Sequence, residues 1–281
     1  MANKAFVTGL PRAGSTLLCQ LLGEHPDVAS DGHSSPLLNQ LENLRAKISD
    51  DPFLLSRLDV DLDATYERVR SMYRGMVNGW LEGWHDKAVV IDKNRGWLRA
   101  LEFALEVLPD AKFLICIRDL EQVYGSIEAA HRKTILLDFP DHMAPHSPDA
   151  RASSLFDPGG VVGGPLGAIR EFSNSPVYDE FRDRCYYVAY EALVARPQET
   201  MRQVYSFLGI GDFMIDPDNL STKSSESDSW YRMKYSHKTR SKITQIRQHT
   251  IDPSISSEIR NRFKWYYEQF YPAAITDTAE G

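Results

Sequence analysis

The chain has 281 residues, of which 42% are hydrophobic and 25% are charged, and its formal net charge is −7. These proportions argue against a disordered or fibrous chain, and the length fits one α/β domain with a large buried core. The negative charge removes the overall attraction that most nucleic-acid-binding proteins use, although a local basic pocket for one anion is still compatible with it. We therefore predict a single domain over residues 1–281 and no nucleic-acid partner.

Four short apolar runs rich in Val, Ile, Phe or Tyr predict buried strands, at residues 4–8, 87–91, 112–117 and 185–189. Helical spacing of apolar residues predicts helices between and after them, at 16–22, 66–81, 98–107, 120–130, 197–208 and 257–270. This alternation predicts a three-layer α/β fold, in which helices flank a central parallel sheet. In such sheets ligands bind beyond the carboxyl ends of the strands, so the residues that follow each strand are candidates for a site.

A long loop is predicted at about residues 136–165, where the helical pattern stops and prolines alternate with glycines. Long loops inside a compact domain often act as lids. A cover over a substrate site and a plain disordered insertion are both compatible with this composition.

The first predicted strand is followed by GLPRAGST, residues 9–16, which opens into an apolar helix. This order of strand, glycine-containing loop and helix is typical of a phosphate-binding loop, because backbone N–H groups and the helix N-terminus converge on an anion. The spacing fits GxxxxGK[ST], but Ser15 occupies the lysine position, which argues against a nucleoside triphosphatase. Arg12 lies inside the loop, where its guanidinium group could hold a phosphate or sulfate.

A second anion site is predicted where the third strand ends. Arg118 follows this strand directly, and Ser126 comes eight residues later on the next predicted helix. Since the carboxyl ends of parallel strands meet at one edge, both side chains could bind a second phosphate of the same ligand. Two separate anion sites fit a nucleotide with two phosphate groups at different positions.

These segments resemble the motifs of one enzyme family. GLPRAGSTLL is similar to the 5′-phosphosulfate loop of the sulfotransferases that use 3′-phosphoadenosine 5′-phosphosulfate (PAPS), and IRDLEQVYGS is similar to their 3′-phosphate motif. YEALVARPQETMRQVYSFLGI resembles the YEDL…P…FLGI stretch of the same family, and HPDV resembles the tyrosylprotein branch. The resemblance implies a parallel sheet with a phosphate loop, PAPS as sulfuryl donor, no metal requirement, and transfer to a hydroxyl or amine.

The resemblance also implies roles for individual residues. Donor-binding positions are Arg12, Ala13, Gly14, Ser15 and Thr16 in the loop, together with Arg118, Ser126, Tyr190 and Lys238. Catalytic candidates are Lys93, which would support the transferred group, Ser225, and His33, which would act as the base. His33 stands where the tyrosylprotein branch has a glutamate, and Asp31 is the alternative base.

Three further expectations complete the interpretation. The acceptor is a small molecule, a carbohydrate or a peptide, and no membrane partner is expected. The three cysteines are predicted to be reduced and buried, and the absence of a signal-peptide pattern favours a cytoplasmic location. Two other functions stay open: a nucleotide kinase or NTPase with a similar loop, and a binding module for adenosine bisphosphate that has lost catalysis.

Overall fold

The computed structural model describes residues 2–30, 32–83, 86–136, 147–221, 226–227, 236–237 and 239–272. Its centre is a five-stranded parallel sheet of order β2-β3-β1-β4-β5. The strands are β1 (Asn3–Gly9), β2 (Val28–Ala29), β3 (Val89–Lys93), β4 (Lys112–Ile117) and β5 (Cys185–Ala189). The predicted parallel sheet is confirmed, and β2, which has only two residues, is an addition to it.

Helices flank this sheet in the predicted alternation. In the first half of the chain they are α1 (Ser15–Leu22), α2 (Leu37–Ser49), α3 (Pro52–Val60), α4 (Leu62–Trp80), α5 (Leu101–Val107) and α6 (Leu120–His131). In the second half they are α7 (Pro148–Phe156), α8 (Gly163–Asn174), α9 (Tyr190–Ala195), α10 (Pro197–Leu208), α11 (Pro253–Arg262) and α12 (Lys264–Phe270). Shorter 3₁₀ helices occupy Arg95–Ala100, Arg132–Thr134 and Pro176–Arg184. A separate antiparallel pair joins β6 (Glu226–Ser227) to β7 (Ser236–His237).

The prediction of a continuous loop over residues 136–165 is wrong for its second part, because α7 and the start of α8 lie within it. Ser147 caps α7 by accepting a hydrogen bond from the backbone N–H of Ala150, and Pro148 takes the first helical position, where its missing N–H costs nothing. Proline here begins a helix instead of interrupting one. Residues 137–146 lie outside the described residues.

The predicted C-terminal helix over residues 257–270 is divided in two. The break falls at Phe263, whose backbone leaves helical geometry between α11 and α12. Tyr266 and Tyr267 on α12 are fully buried, so this last helix completes the core beneath the sheet edge that carries the site.

The core is continuous across the sheet, and Phe6, Trp97 and Phe113 are among its largest buried side chains. All three cysteines are free thiols; Cys19 and Cys116 are buried as predicted, whereas Cys185 is half-buried.

Candidate functional site

Parallel pairing brings the carboxyl ends of the central strands to one edge. Val7 pairs with Lys93, Gly9 with Cys116, and Ile117 with Ala189. Three of the segments predicted to carry donor-binding residues leave the sheet at this edge. The loop after β1, Arg118 after β4, and Tyr190 after β5 are therefore neighbours in space.

The loop after β1 has the backbone of a phosphate cradle. Gly14 caps α1 in the left-handed region with φ of 85°, and Arg12 is also left-handed with φ of 60°. A Cβ atom at Gly14 would lie 2.5 Å from Cδ2 of Tyr190, so glycine is required here by both conformation and space. Gly14, Ser15 and Thr16 line the cleft described below. Their position at the start of α1 directs backbone N–H groups towards any bound anion.

Arg12, Arg118 and Ser126 form a connected cluster. Nε of Arg12 donates to Oγ of Ser126 at 3.0 Å, and Nη1 of Arg118 donates to the carbonyl oxygen of Arg12 at 2.9 Å. Cζ of Arg118 also lies 4.4 Å from the ring centroid of Tyr190. The structure thus unites four residues that the sequence placed at separate positions along the chain.

Arg118 is buried, with 6% of its surface exposed, and its Nε atom has no hydrogen-bond partner among the described residues. Burial lowers the pKa of the guanidinium group, and the Arg12 charge acts in the same direction, while Tyr190 and Glu191 oppose it. A guanidinium group nevertheless stays charged in proteins. A buried cation with an unused donor is the arrangement expected where an anionic ligand supplies the missing acceptor.

The backbone around Arg118 is held from below by the C-terminal helices. The Tyr266 hydroxyl donates to the carbonyl oxygen of Arg118 at 2.9 Å. Asp119 caps α6 by accepting from the N–H of Gln122, and its own N–H donates to Glu191. These bonds fix the direction in which the Arg118 side chain leaves the strand.

A cleft of about 450 Å³ opens at this sheet edge. Its described lining contains no carboxylate, but it contains five cationic side chains: Arg12, Arg118, Lys133, Arg240 and Arg247. The protein as a whole carries a net charge of −7. Positive charge is therefore concentrated locally, as a binding site for a polyanion requires.

Four basic cleft residues were not predicted from the sequence: Lys133 on the turn after α6, and Arg240, Arg247 and His249. The last three lie close together in the chain. They come from the irregular segment between β7 and α11. Gln20 on α1 holds the start of this segment, because its Nε2 donates both to the carbonyl oxygen of Ser221 at 2.9 Å and to that of Arg240 at 2.7 Å. The sequence signal was the basic composition around residues 231–242, which by itself does not indicate a position in the fold.

Lys93 and the backbone of the His33 loop also meet at this edge. Lys93 is buried, and its Nζ donates to the carbonyl oxygen of Gly32 at 2.7 Å and lies 3.4 Å from Oγ1 of Thr16. Ser35 donates its N–H to the carbonyl oxygen of Lys93 at 2.8 Å. Lys93 therefore links the phosphate loop to the loop that carries His33, which is half-buried.

The remaining predicted residues differ in their placement. Ala13 is buried and is not among the residues that line the cleft, so its contribution would come from the backbone. Ser225, Lys238 and the alternative base Asp31 lie outside the described residues. Thr239, next to Lys238, does line the cleft.

Comparison with known proteins gives results that agree with this geometry. Residues 5–144 match the model of the family described as the Sulfotransferase family. A protein-tyrosine sulfotransferase of Drosophila melanogaster is 25% identical over 208 residues, covering 73% of this chain and 38% of that protein. Protein-tyrosine sulfotransferase A of Caenorhabditis elegans is 26% identical over 210 residues, covering 73% of this chain and 49% of that protein. The chain thus spans less than half the length of these curated relatives.

The fold has a counterpart among solved structures. The crystal structure of a sulfotransferase from Alicyclobacillus acidocaldarius superposes with a TM-score of 0.52 at 15% identity, covering 94% of this chain and 92% of that one. At this identity the likeness concerns the fold alone. The family match, the two relatives and this fold together assign the matched part of the chain, residues 5–144, to the sulfotransferase family.

Proposed function

We propose that the protein transfers a sulfuryl group from PAPS to a hydroxyl or amine of an acceptor. The observation that carries this proposal is the cluster of Arg12, Arg118 and Ser126 on the wall of a cationic cleft. Two anion-binding elements meet there: the start of α1 and the Arg118–Ser126 pair. A nucleotide with separate 5′ and 3′ phosphate groups has the charge pattern that this arrangement fits.

The described residues fit such a nucleotide in size and in donor groups. The volume of about 450 Å³ falls within the range of about 300–1,000 Å³ typical of small-ligand sites. The backbone of residues 13–16 and Arg12 would hold the 5′ group, and Arg118 with Ser126 would hold the 3′-phosphate. The unused Nε of Arg118 provides a donor for it.

In the proposed reaction the acceptor atom attacks the donor sulfur in line, a bond from the acceptor atom to sulfur forms, and the bond between sulfur and the phosphate oxygen breaks. Adenosine 3′,5′-bisphosphate is the leaving group. By analogy with phosphoryl transfer, the protein must align the reactants and stabilise the charge that grows on the leaving phosphate oxygen. Lys93, whose Nζ lies next to Thr16, would perform the second task. His33, in the loop attached to Lys93, would accept the proton of the acceptor hydroxyl, and Asp31 is the alternative base.

The acceptor class is also a proposal. The two curated relatives are named protein-tyrosine sulfotransferases, which supports the hydroxyl group of a peptide tyrosine as the first acceptor to test. Small-molecule and carbohydrate acceptors belong in the same panel.

The test is the transfer of radiolabelled sulfate from PAPS to an acceptor panel, together with calorimetric binding of adenosine 3′,5′-bisphosphate. Arg12→Ala should weaken nucleotide binding by about 10- to 150-fold, the equivalent of one charged hydrogen bond of about 1.5–3 kcal/mol. Arg196→Ala is the matched control. Arg196 is exposed, and in the described part of the chain it forms its ion pair with Glu199.

Two results would reject the proposal. Absence of affinity for the bisphosphate, with magnesium-dependent ATP binding instead, would favour a kinase or NTPase. Tight bisphosphate binding with no transfer to any acceptor in the panel, and no effect of His33→Ala, would indicate a binding module without catalysis.

Three expectations stay predictions: the single domain, the cytoplasmic location and the independence from metal. Within the described ranges no helix is long and apolar enough to cross a membrane. In the same part of the chain no three His, Cys, Asp or Glu side chains cluster in a way that could hold a metal ion.

A further inference from the structure

An irregular segment crosses helix α6 beside the cleft; we name residues 239–252 the strap. Its central part is fastened by one side chain. Oε1 of Gln122 accepts a hydrogen bond from the backbone N–H of His249 at 2.8 Å, and Nε2 of Gln122 donates one to the carbonyl oxygen of His249 at 3.2 Å. Because both backbone groups of His249 are engaged, the position of this residue relative to α6 is fixed.

The strap also approaches α6 very closely. A Cβ atom at Gly125 would lie 2.5 Å from Cβ of His249 and 2.6 Å from Cδ1 of Ile251. Gly125 precedes Ser126, the serine that binds Arg12. The missing side chain at Gly125 therefore allows His249 to lie against the same helical turn that carries the Arg118–Ser126 anion site.

His249 lines the cationic cleft, and the charges facing it from that side are all positive. They are Arg12 from the phosphate loop, Arg118 from the end of β4, and Arg247 from the strap itself. Burial lowers the pKa of His249 below its ordinary value, and the charges of Arg118, Arg247 and Arg12 lower it further. This environment favours the neutral imidazole, and a bound anion would shift the pKa of His249 in the opposite direction.

The opposite side of His249 does not cancel these charges. A smaller groove there is lined by Glu128 and Arg132 of α6 and its extension, Asp149 of α7, and Asp252 of the strap. Glu128 is already paired with Arg151 and Arg132, and Asp149 and Asp252 are exposed to solvent, where charges are screened.

We propose that His249 is a ligand of the donor's 3′-phosphate that binds in its imidazolium form, so that nucleotide binding takes up one proton from solvent. The inference rests on the proposed function, because it requires the cleft to bind the bisphosphate nucleotide. The step is a protonation: neutral imidazole takes one proton from the solvent and forms one N–H bond, and the resulting imidazolium donates a hydrogen bond to the phosphate oxygen. A dianionic phosphate beside three arginines stabilises this charged form, whereas the three arginines alone oppose it.

The direction of the pH dependence follows. Binding is strongest where His249 is easily protonated, and affinity decreases as pH rises through the pKa of His249 in the complex. A site built only from arginines has no such dependence, since guanidinium groups stay charged throughout. The phosphate's own second ionisation, with a pKa of about 6, is common to all variants and cancels when variants are compared.

The experiment is isothermal titration calorimetry of the full chain with adenosine 3′,5′-bisphosphate at several pH values between about 6 and 8.5. Two buffers of different ionisation enthalpy at each pH count the protons taken up. The protein is compared with His249→Gln, which cannot be protonated, and with His249→Lys, which is cationic throughout.

We expect the unaltered protein to lose on the order of tenfold more affinity than His249→Gln across this range, because one linked proton changes affinity tenfold per unit of pKa difference. Proton uptake should be larger in the unaltered protein than in either variant. His249→Lys should keep its affinity to the highest pH. Equal pH slopes and equal proton counts in the unaltered protein and His249→Gln, with the nucleotide bound, would overturn this inference alone. Absence of binding by all three proteins would overturn the proposed function and this inference with it.

Discussion

Replacing Arg118 separates the ligand-binding role of this side chain from its role in folding. Arg118→Met keeps the aliphatic part of the buried side chain and removes its charge. Without nucleotide, the loss includes the hydrogen bond to the carbonyl oxygen of Arg12, about 1.5–3 kcal/mol, and the contact with the Tyr190 ring, about 0.5–2 kcal/mol. Removing the charge also removes the cost of burying a cation whose Nε has no partner among the described residues, which is several kcal/mol. The two nearly cancel, so we expect the free energy of unfolding to change by less than about 2 kcal/mol.

With nucleotide the balance is different. Two charged hydrogen bonds to the 3′-phosphate would be lost, about 3–6 kcal/mol together, which weakens binding by about 10² to 10⁴. Arg118→Lys keeps the charge but not the forked geometry, and its affinity should be intermediate. Calorimetry with adenosine 3′,5′-bisphosphate and denaturant unfolding of each variant measure the two quantities, with Arg196→Ala as the control. An Arg118→Met protein that binds the nucleotide within about threefold of the unaltered protein would refute the assignment.

Three further predictions concern stability. Gly14→Ala should destabilise the protein by about 1–3 kcal/mol, through left-handed strain and collision with Tyr190, and the added change Tyr190→Ala should recover the collision part. Glu128→Leu should cost about 3–5 kcal/mol because it removes the carboxylate that pairs with the buried Arg151, and Arg151→Met in the same chain should restore most of this loss. The melting temperature of the nucleotide-free protein should fall as pH decreases below about 6.5. The pKa of His249 is lower in the folded protein than in the unfolded chain, so the unfolded chain binds the proton more tightly. His249→Gln should reduce this fall.

Each of these has a clear contrary result. Equal stability of the single and double variants at position 14 would mean that Tyr190 moves aside without cost. Equal stability of Glu128→Leu and the unaltered protein would mean that the buried ion pair is replaceable by solvent. The same pH dependence of melting in His249→Gln and the unaltered protein would assign the acid sensitivity to other groups.

The bounds of strands and helices could be predicted where the local apolar pattern alone determines them. Strands β4 and β5 and helix α10 have the predicted bounds, because the apolar runs of the strands and the apolar spacing of the helix extend over the whole element. Strand β3 was predicted two residues too early, since it includes the charged pair Asp92 and Lys93. Both are buried because tertiary partners compensate them, the Trp97 indole for Asp92 and the Gly32 carbonyl for Lys93. Periodicity carries no information about such partners.

The site also contains residues that the local sequence pattern predicts and residues whose position depends on distant partners. Four predicted site residues lie just after a strand or on the helix that follows it: Arg12, Arg118, Ser126 and Tyr190. Parallel pairing of the strands alone brings them together. His249 lies 127 residues after Gln122 in the chain. It is brought to the cleft by the hydrogen bonds of the Gln122 amide and by the close approach that Gly125 permits. No local pattern in an irregular segment indicates such a contact, which is why the strap was not predicted.

The amide of Gln20 brings residues 221 and 240 together against α1, so everything between them forms a closed loop with its base fixed behind the phosphate cradle. For a loop closed in this way, doubling the length costs only about 0.6 kcal/mol of additional closure entropy. Insertions or exchanges within residues 222–238 should therefore leave the arginine cluster in place. The length of the chain between β6 and β7 can therefore vary while the contact of Gln20 keeps residues 221 and 240 at α1.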